Sequence, residues 1–207
     1  MIREQVISLE LKPGEAFNDM EFAAKIGVSR TPVREAVIQL SEESRIIEIF
    51  PQRGMRIAPI DVELVEEARS LRVLLEKQIA GMCCEMATEE DIKWLQENVG
   101  LQEFYMENSR PEMVMQLDDE MHHKLFMICH RELTYGMCQK LAIHYDRIRS
   151  LSVNTVKDNT IIEDHRKIIQ FIAEHKKENA MAQMEKHLSR WQLNEGKFRQ
   201  EFPDYFK

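Results

Sequence analysis

Gly27-Val28-Ser29-Arg30-Thr31-Pro32-Val33-Arg34-Glu35-Ala36-Val37 reads as the turn and second helix of a helix-turn-helix. Ahead of it, Asn18 with Glu21 three residues on forms a capping box, and Phe22, Ala23 and Ile26 make a short apolar stripe that stops at Gly27. Proline is acceptable only in the first turn of a helix, so Pro32 requires a second helix starting near Ser29 to Thr31, either of which can cap it. Val33, Val37 and Leu40 recur at helical spacing and define its buried face, while Arg30 and Arg34 lie one turn apart on another face. An exposed helix N-terminus offers unpaired N–H groups to phosphate. An arginine there can read guanine O6 and N7 with two donors. Double-stranded DNA is the first partner to expect, with Ser29, Arg30, Thr31 and Arg34 as its contacts.

Two β-prone runs follow, Ile46-Ile47-Glu48-Ile49-Phe50 and Met55-Arg56-Ile57-Ala58, on either side of Pro51-Gln52-Arg53-Gly54. They predict a β wing with Arg53 at its tip, placed for a minor groove or a phosphate, and Gly54 supplying a positive φ. The stretch from Leu11-Lys12-Pro13-Gly14 through Gly27–Ala36 to Pro51-Gln52-Arg53-Gly54 resembles the winged-helix domain of GntR-family bacterial transcriptional regulators. The link Ser44-Arg45-Ile46-Ile47 stands where members usually have a Glu-Gly-Leu-Val-like run, and the segment around Arg3 to Leu9 is shorter than usual.

The chain has 207 residues and a net charge of −8, which looks wrong for a DNA binder until it is divided. Residues 1 to 60 carry 8 Lys+Arg against 9 Asp+Glu, so most of the excess acid lies beyond them. Near-neutrality of the first part predicts modest non-specific affinity, with specificity resting on a few placed arginines and on dimerisation. The four cysteines show no C-x-x-C pairing and sit in a chain with 13 methionines, which predicts free thiols. With neither a membrane-spanning apolar run nor a signal-peptide core at Met1–Gln5, the expected location is the cytoplasm.

Beyond Ala58-Pro59-Ile60-Asp61, read as a short stiff connection, helical periodicity dominates and strand signals are almost absent. Capping boxes at Thr88/Asp91, Ser109/Glu112 and Thr160/Glu163 help divide the region into about six helices: 61 to 87, 88 to 107, 110 to 129, 132 to 154, 160 to 174 and 177 to 199. The fold class is therefore mainly α. A winged helix-turn-helix over 1–60 is expected to precede an antiparallel helical bundle over 61–207, with effector binding and dimerisation expected of the second part.

Asp118 and His122 are four residues apart on one helix and share a face. His165 and His187 lie equally far from residue 176 in the polar connection Glu174–Glu178, so an antiparallel hairpin brings them to one height. One carboxylate and three imidazoles can then meet inside the bundle. On spacing alone, a chance arrangement of surface or packed histidines accounts for these positions equally well. The runs Arg72–Glu76, Asp118–Leu125, Asp164–Ile168 and His187-Leu188 are, however, similar to the ligand-binding helical domain of the FadR-type branch of the GntR family. That resemblance implies that Asp118, His122, His165 and His187 hold a divalent metal (Zn2+, Mn2+ or Ni2+) beside a small-molecule pocket. Cys129-His130-Arg131-Glu132 replaces the Gly-Asn turn common in members.

Arg72 is either exposed at a helix edge or directed inward as an anion clamp, the reading that the resemblance favours, and His144 is a group that supports the metal ligands, a pocket donor or a satisfied core histidine. Cys83-Cys84 is expected to be helix packing. The reading that follows is a homodimeric, metal-containing regulator, a repressor in its simplest form. It binds an inverted-repeat operator and responds to a small organic-acid-like effector. Two rivals are a metal-dependent hydrolase and an architectural DNA-binding protein with a purely structural metal. The hydrolase finds no H-E-x-x-H, G-x-S-x-G or phosphate loop in the chain.

Overall fold

The computed structural model describes residues 1–155 and 160–207. The helix α1 (Ile2–Ile7) leads into β1 (Ala16–Phe17), α2 (Asp19–Ile26), α3 (Arg30–Glu43), β2 (Ile47–Phe50) and β3 (Gly54–Ile57). Asn18 caps α2 by accepting from the amides of Met20 and Glu21, and its own amide donates to the Glu21 carboxylate at 2.9 Å. Gly27 closes the helix in the left-handed conformation at φ 73°. The second helix starts at Arg30 with Ser29 as its cap residue, but the Ser29 hydroxyl makes no capping hydrogen bond. The first-turn amide groups therefore lack that side-chain acceptor.

The wing is antiparallel, with Ile47 opposite Ile57 and Phe50 opposite Gly54. Its turn uses positive φ at Gln52 (61°) and Gly54 (99°). Absent from the expected elements was β1, which pairs Ala16 with Arg56 and Phe17 with Met55 and makes β3 the central strand. Two residues are too few to show an alternating pattern. Arg45 at φ 54° and His130 at φ 54° take left-handed backbone at the two places where the sequence departs from a glycine-containing link.

Val6, Phe22, Val33, Val37, Ile46, Ile47 and Ile57 form the core of this part, each side chain contributing about 1.5–3 kcal/mol through burial. Ile143, from the seventh helix, belongs to the same cluster.

The remaining helices are α4 (Val62–Met86), α5 (Glu89–Glu107), α6 (Pro111–Ile128), α7 (Glu132–Thr155), α8 (Thr160–Ala173), α9 (Lys177–Leu188) and α10 (Trp191–Glu201). Thr88 and Asp91 form the expected capping box of α5. The box expected at Ser109 and Glu112 does not form: Pro111 occupies the first helical position, Arg110 becomes the cap residue, and Ser109 sits outside at φ 54°. As for the Thr160/Glu163 box, α8 begins at Thr160 and the preceding residues lie outside the described ones.

One helix was expected over 177 to 199, where α9 and α10 now stand. The break follows from a distant contact, because the Tyr145 hydroxyl donates to the Leu188 carbonyl at 2.9 Å, and the chain then turns through Ser189 and Arg190. This directs Phe198 into a small core with Val65, Ala68 and Ile148. The connection after the wing is held by the C-terminal residues: Ile60 N–H donates to the Tyr205 carbonyl at 2.7 Å, and Lys207 N–H donates to the Ile60 carbonyl at 3.0 Å. All four cysteines are free and buried. Among the described residues, no helix is long and apolar enough to cross a membrane.

Candidate metal centre and nucleic-acid interface

Asp118 and His122 on α6, His165 on α8 and His187 on α9 converge in the bundle, all buried, each offering one ligand atom within 4.8 Å of the others. His165 Nε2 lies 3.2 Å from Asp118 Oδ1 and 3.3 Å from His187 Nε2. His122 Nε2 is 3.8 Å from Asp118 Oδ2 and has no hydrogen-bond partner. Buried nitrogen lone pairs without donors are costly unless something electropositive sits between them.

Surrounding amides and carboxylates fix which nitrogen points inward. Asn98 Nδ2 donates to the Leu117 carbonyl (3.1 Å), so Asn98 Oδ1 accepts from Gln102 Nε2 (2.7 Å), and Gln102 Oε1 faces His165 Nδ1 at 2.8 Å. The proton of His165 therefore belongs on Nδ1 and its lone pair on Nε2, toward the cluster.

Glu76 plays the corresponding part for His122, with Oε2 2.5 Å from Nδ1, although off the N–H direction of a good hydrogen bond. Arg72 anchors that glutamate from the other side, Nε to Oε1 at 2.6 Å. The donor set and its supports fit a divalent ion.

Burial pushes the His165 imidazole below its ordinary value, with Asp118 partly opposing. His187 goes well below, through burial and then the neighbouring His165 and His122. Burial works against ionised Asp118, yet Arg149, His122 and His165 together hold it well below the carboxylate range. Glu76, likewise buried, is brought to about 2 by Arg72 and His122.

The two depressed imidazoles link stability to pH. Folded, they stay neutral where the unfolded chain takes up protons near pH 6.5, so their contribution is full above about 6.5 and is lost as pH falls below it, by up to about 1.4 kcal/mol per pH unit for each. We predict that the melting temperature of chelator-treated protein is flat from pH 8 to 7 and falls below about pH 6.5 in a buffer series. A flat profile down to pH 5 would contradict this protonation assignment.

A cavity of about 50 Å3 adjoins the cluster, with Asp118 and His187 in its wall beside Arg72, Arg149, Arg190 and Tyr145. Each arginine has a carboxylate partner: Arg72 with Glu76, Arg149 with Asp118, Asp119 and Asp146, and Arg190 with Asp164. His144 is not part of this wall. It lines a second cavity with Arg45, Ala58 and Lys207, at the junction with the winged helix, because its side of α7 faces the wing and the connection. The sequence expectation of a pocket donor is corrected accordingly. Glu76, Asn98 and Gln102 were not assigned roles from sequence, where a polar residue on an amphipathic helix looks like a solvated one.

In the winged helix, Ser29 at the cap of α3 and Arg30, Thr31 and Arg34 on it are exposed, as are Arg53 and Gly54 at the wing turn. Arg30 Nε donates to Asp19 Oδ1 at 3.0 Å and an Nη1 of Arg34 donates to Asp19 Oδ2 at 3.3 Å. The arginine side chains are 55% and 54% exposed, whereas Asp19 is 3% exposed.

Both parts of the chain match known families. The family described as bacterial regulatory proteins, gntR family, matches residues 1–57, and the FCD domain matches residues 67–190. The chain is 27% identical over 207 residues to the HTH-type transcriptional repressor RspR of Escherichia coli, covering 100% of this chain and 90% of that protein. It is 26% identical over 185 residues to the Nta operon transcriptional regulator of Aminobacter aminovorans, covering 89% and 86%. The fold is similar to that of E. coli McbR/YncC, with TM-score 0.79 at 18% identity over 97% of this chain and 94% of that one. Family and relatives are regulators rather than enzymes, which removes the hydrolase rival. With a GntR-type winged helix and an FCD domain together accounting for most of its length, this chain belongs to the GntR family of bacterial transcriptional regulators.

Proposed function

We propose that the protein is a homodimeric repressor, divided into a DNA-binding part at 1–60 and an effector-binding, dimerising part at 61–207. Its operator affinity is set by a small anionic metabolite bound beside a divalent metal. The observation that carries this reading is the convergence of Asp118, His122, His165 and His187 next to a cavity bordered by three arginines. A divalent ion held there supplies a positive coordination point for a carboxylate oxygen. Arg72 has two roles, bracing Glu76 and presenting cationic surface to the cavity, with its guanidinium 5.2 Å from the Tyr145 ring centroid. The enclosed space has room for about three or four waters, which favours an effector of few atoms, such as a short organic acid. Such a regulator works in the cytoplasm, where its operator is.

The link from cavity to DNA runs along α7. That helix gives Tyr145, Ile148 and Arg149 to the cavity wall. Its other surface gives Ile143 to the winged-helix core, the Gln139 carbonyl to Arg3 (2.7 Å), and a donor from fully buried Arg147 to the Ala58 carbonyl (2.6 Å). A ligand that shifts α7 by displacing Arg149 from its carboxylates also shifts the base of the winged helix. In a symmetric dimer that changes the separation of the two recognition helices.

For the dimer contact we assign the face bearing Leu133, Met137 and Leu141, an i, i+4, i+8 stripe on α7 that is 77%, 63% and 43% exposed, together with Leu74 on α4 at 68%. Glutamate at both Leu133 and Met137 should cost at least about 3 kcal/mol of association, weakening the dimer by more than about 100-fold. The protein should then run as a monomer at micromolar concentration in light scattering. A double variant that remains a dimer would place the contact elsewhere.

A further inference from the structure

We propose that Asp19 is a positioning residue for base recognition: a buried carboxylate that grips Arg30 and Arg34 and decides which donor edge each presents to DNA. The inference rests on α3 being the recognition helix.

Asp19 is the first residue of α2, one after the cap Asn18, and lies across the turn from the start of α3. Its two oxygens are divided between the two guanidinium groups, Oδ1 to Arg30 Nε and Oδ2 to Arg34 Nη1. Burial alone would favour the protonated acid, yet the two cations hold it below its ordinary value, so the carboxylate is ionised where both arginines need it.

A guanidinium has five N–H donors in a fixed plane. With Nε committed, Arg30 presents its Nη1/Nη2 end. With one Nη1 proton committed, Arg34 presents its Nε/Nη2 side. Either edge is a two-donor fork of the kind that matches guanine O6 and N7, and the clamp removes the alternatives before DNA arrives.

The clamp also carries a cost in charge. A carboxylate between two arginines lowers the positive potential of the surface that phosphates meet, in keeping with 8 basic against 9 acidic residues over positions 1 to 60. Asp19 thus trades non-specific attraction for orientation. A first-turn aspartate that only favours the α2 dipole would show no such trade.

The test uses the full-length dimer and two probes. One is the duplex most enriched from a randomised 30-base-pair library by the wild-type protein, and the other is the same duplex with its half-sites scrambled. Fluorescence anisotropy at fixed salt is run on wild type, Asp19→Asn, Asp19→Ala, Asp19→Glu and Arg34→Ala, with a thermal melt of each. For the Asn and Ala variants, affinity for the enriched duplex is expected to fall at least about 10-fold while affinity for the scrambled duplex holds or rises. Asp19→Glu should recover part of the ratio.

A ratio within about twofold of wild type in Asp19→Asn, with Arg34→Ala still losing the enriched duplex, would overturn the role of Asp19 and leave the recognition helix standing. Parallel weakening on both duplexes, whether or not melting drops, would also overturn it, since that is the mark of a structural acid. If Arg34→Ala changes nothing, the recognition-helix reading itself fails.

Discussion

Alanine at His165 or His187 is expected to remove most of the stabilisation that a divalent metal gives. A ligand present at about 1,000 times its dissociation constant stabilises the folded state by about 4 kcal/mol, which for a chain of this size is roughly 8–16 °C in melting temperature. Wild type should therefore melt roughly that much higher after addition of Zn2+ than after chelator, and each variant should show almost no difference. Deletion of one imidazole also leaves its partner ill-served, because the Gln102 amide oxygen (2.8 Å) loses the donor that His165 Nδ1 provides. The variants should retain a cooperative transition, because the apolar core around Leu125, Phe126 and Ile168 is untouched. A full metal-dependent shift in both variants would show that the ion binds elsewhere.

Arg34→Ala is expected to have the second largest effect, on operator affinity. A lost two-donor base contact costs about 1–3 kcal/mol, and a symmetric dimer loses it in both half-sites, so roughly 2–6 kcal/mol is at stake. Arg30→Ala should behave alike, and both variants should keep a cooperative melt, since both side chains are more than half exposed and the buried Asp19 carboxylate retains one guanidinium partner in each. Loss restricted to the operator marks base reading, whereas uniform loss on all duplexes marks a phosphate contact. Unchanged titrations for both variants at fixed salt would defeat the assignment of α3.

Much of this molecule was legible because its strongest signals are local. A glycine at a left-handed position, a proline that must open a helix, and an i, i+4 pair of arginines each act within one or two turns. Together they located α2, the start of α3 and the two strands of the wing to within two residues. Asp118 and His122 were placed on a common face by the same short-range geometry. His165 and His187 needed one further step, the symmetry of a hairpin about residue 176.

What escaped depends on partners distant in sequence. Nothing around residue 188 announces the break between α9 and α10, since the group that captures the Leu188 carbonyl is Tyr145, 43 positions away. The relay from Leu117 through Asn98 and Gln102 to His165 crosses three helices. Asp19 carries no local signal of its contacts with Arg30 and Arg34, because these form only when α3 folds back across the turn. His144 was misplaced for a different reason. Helical periodicity shows that α7 has two buried faces and leaves open which one meets the cavity.

The central claim, that this winged-helix regulator carries a divalent metal at Asp118, His122, His165 and His187, is tested most directly by elemental analysis of protein purified without chelator. About one divalent transition metal per chain is expected in wild type and a small fraction of that in His187→Ala; a wild-type protein free of such metals, or a His187→Ala variant that keeps its full complement, would contradict the account.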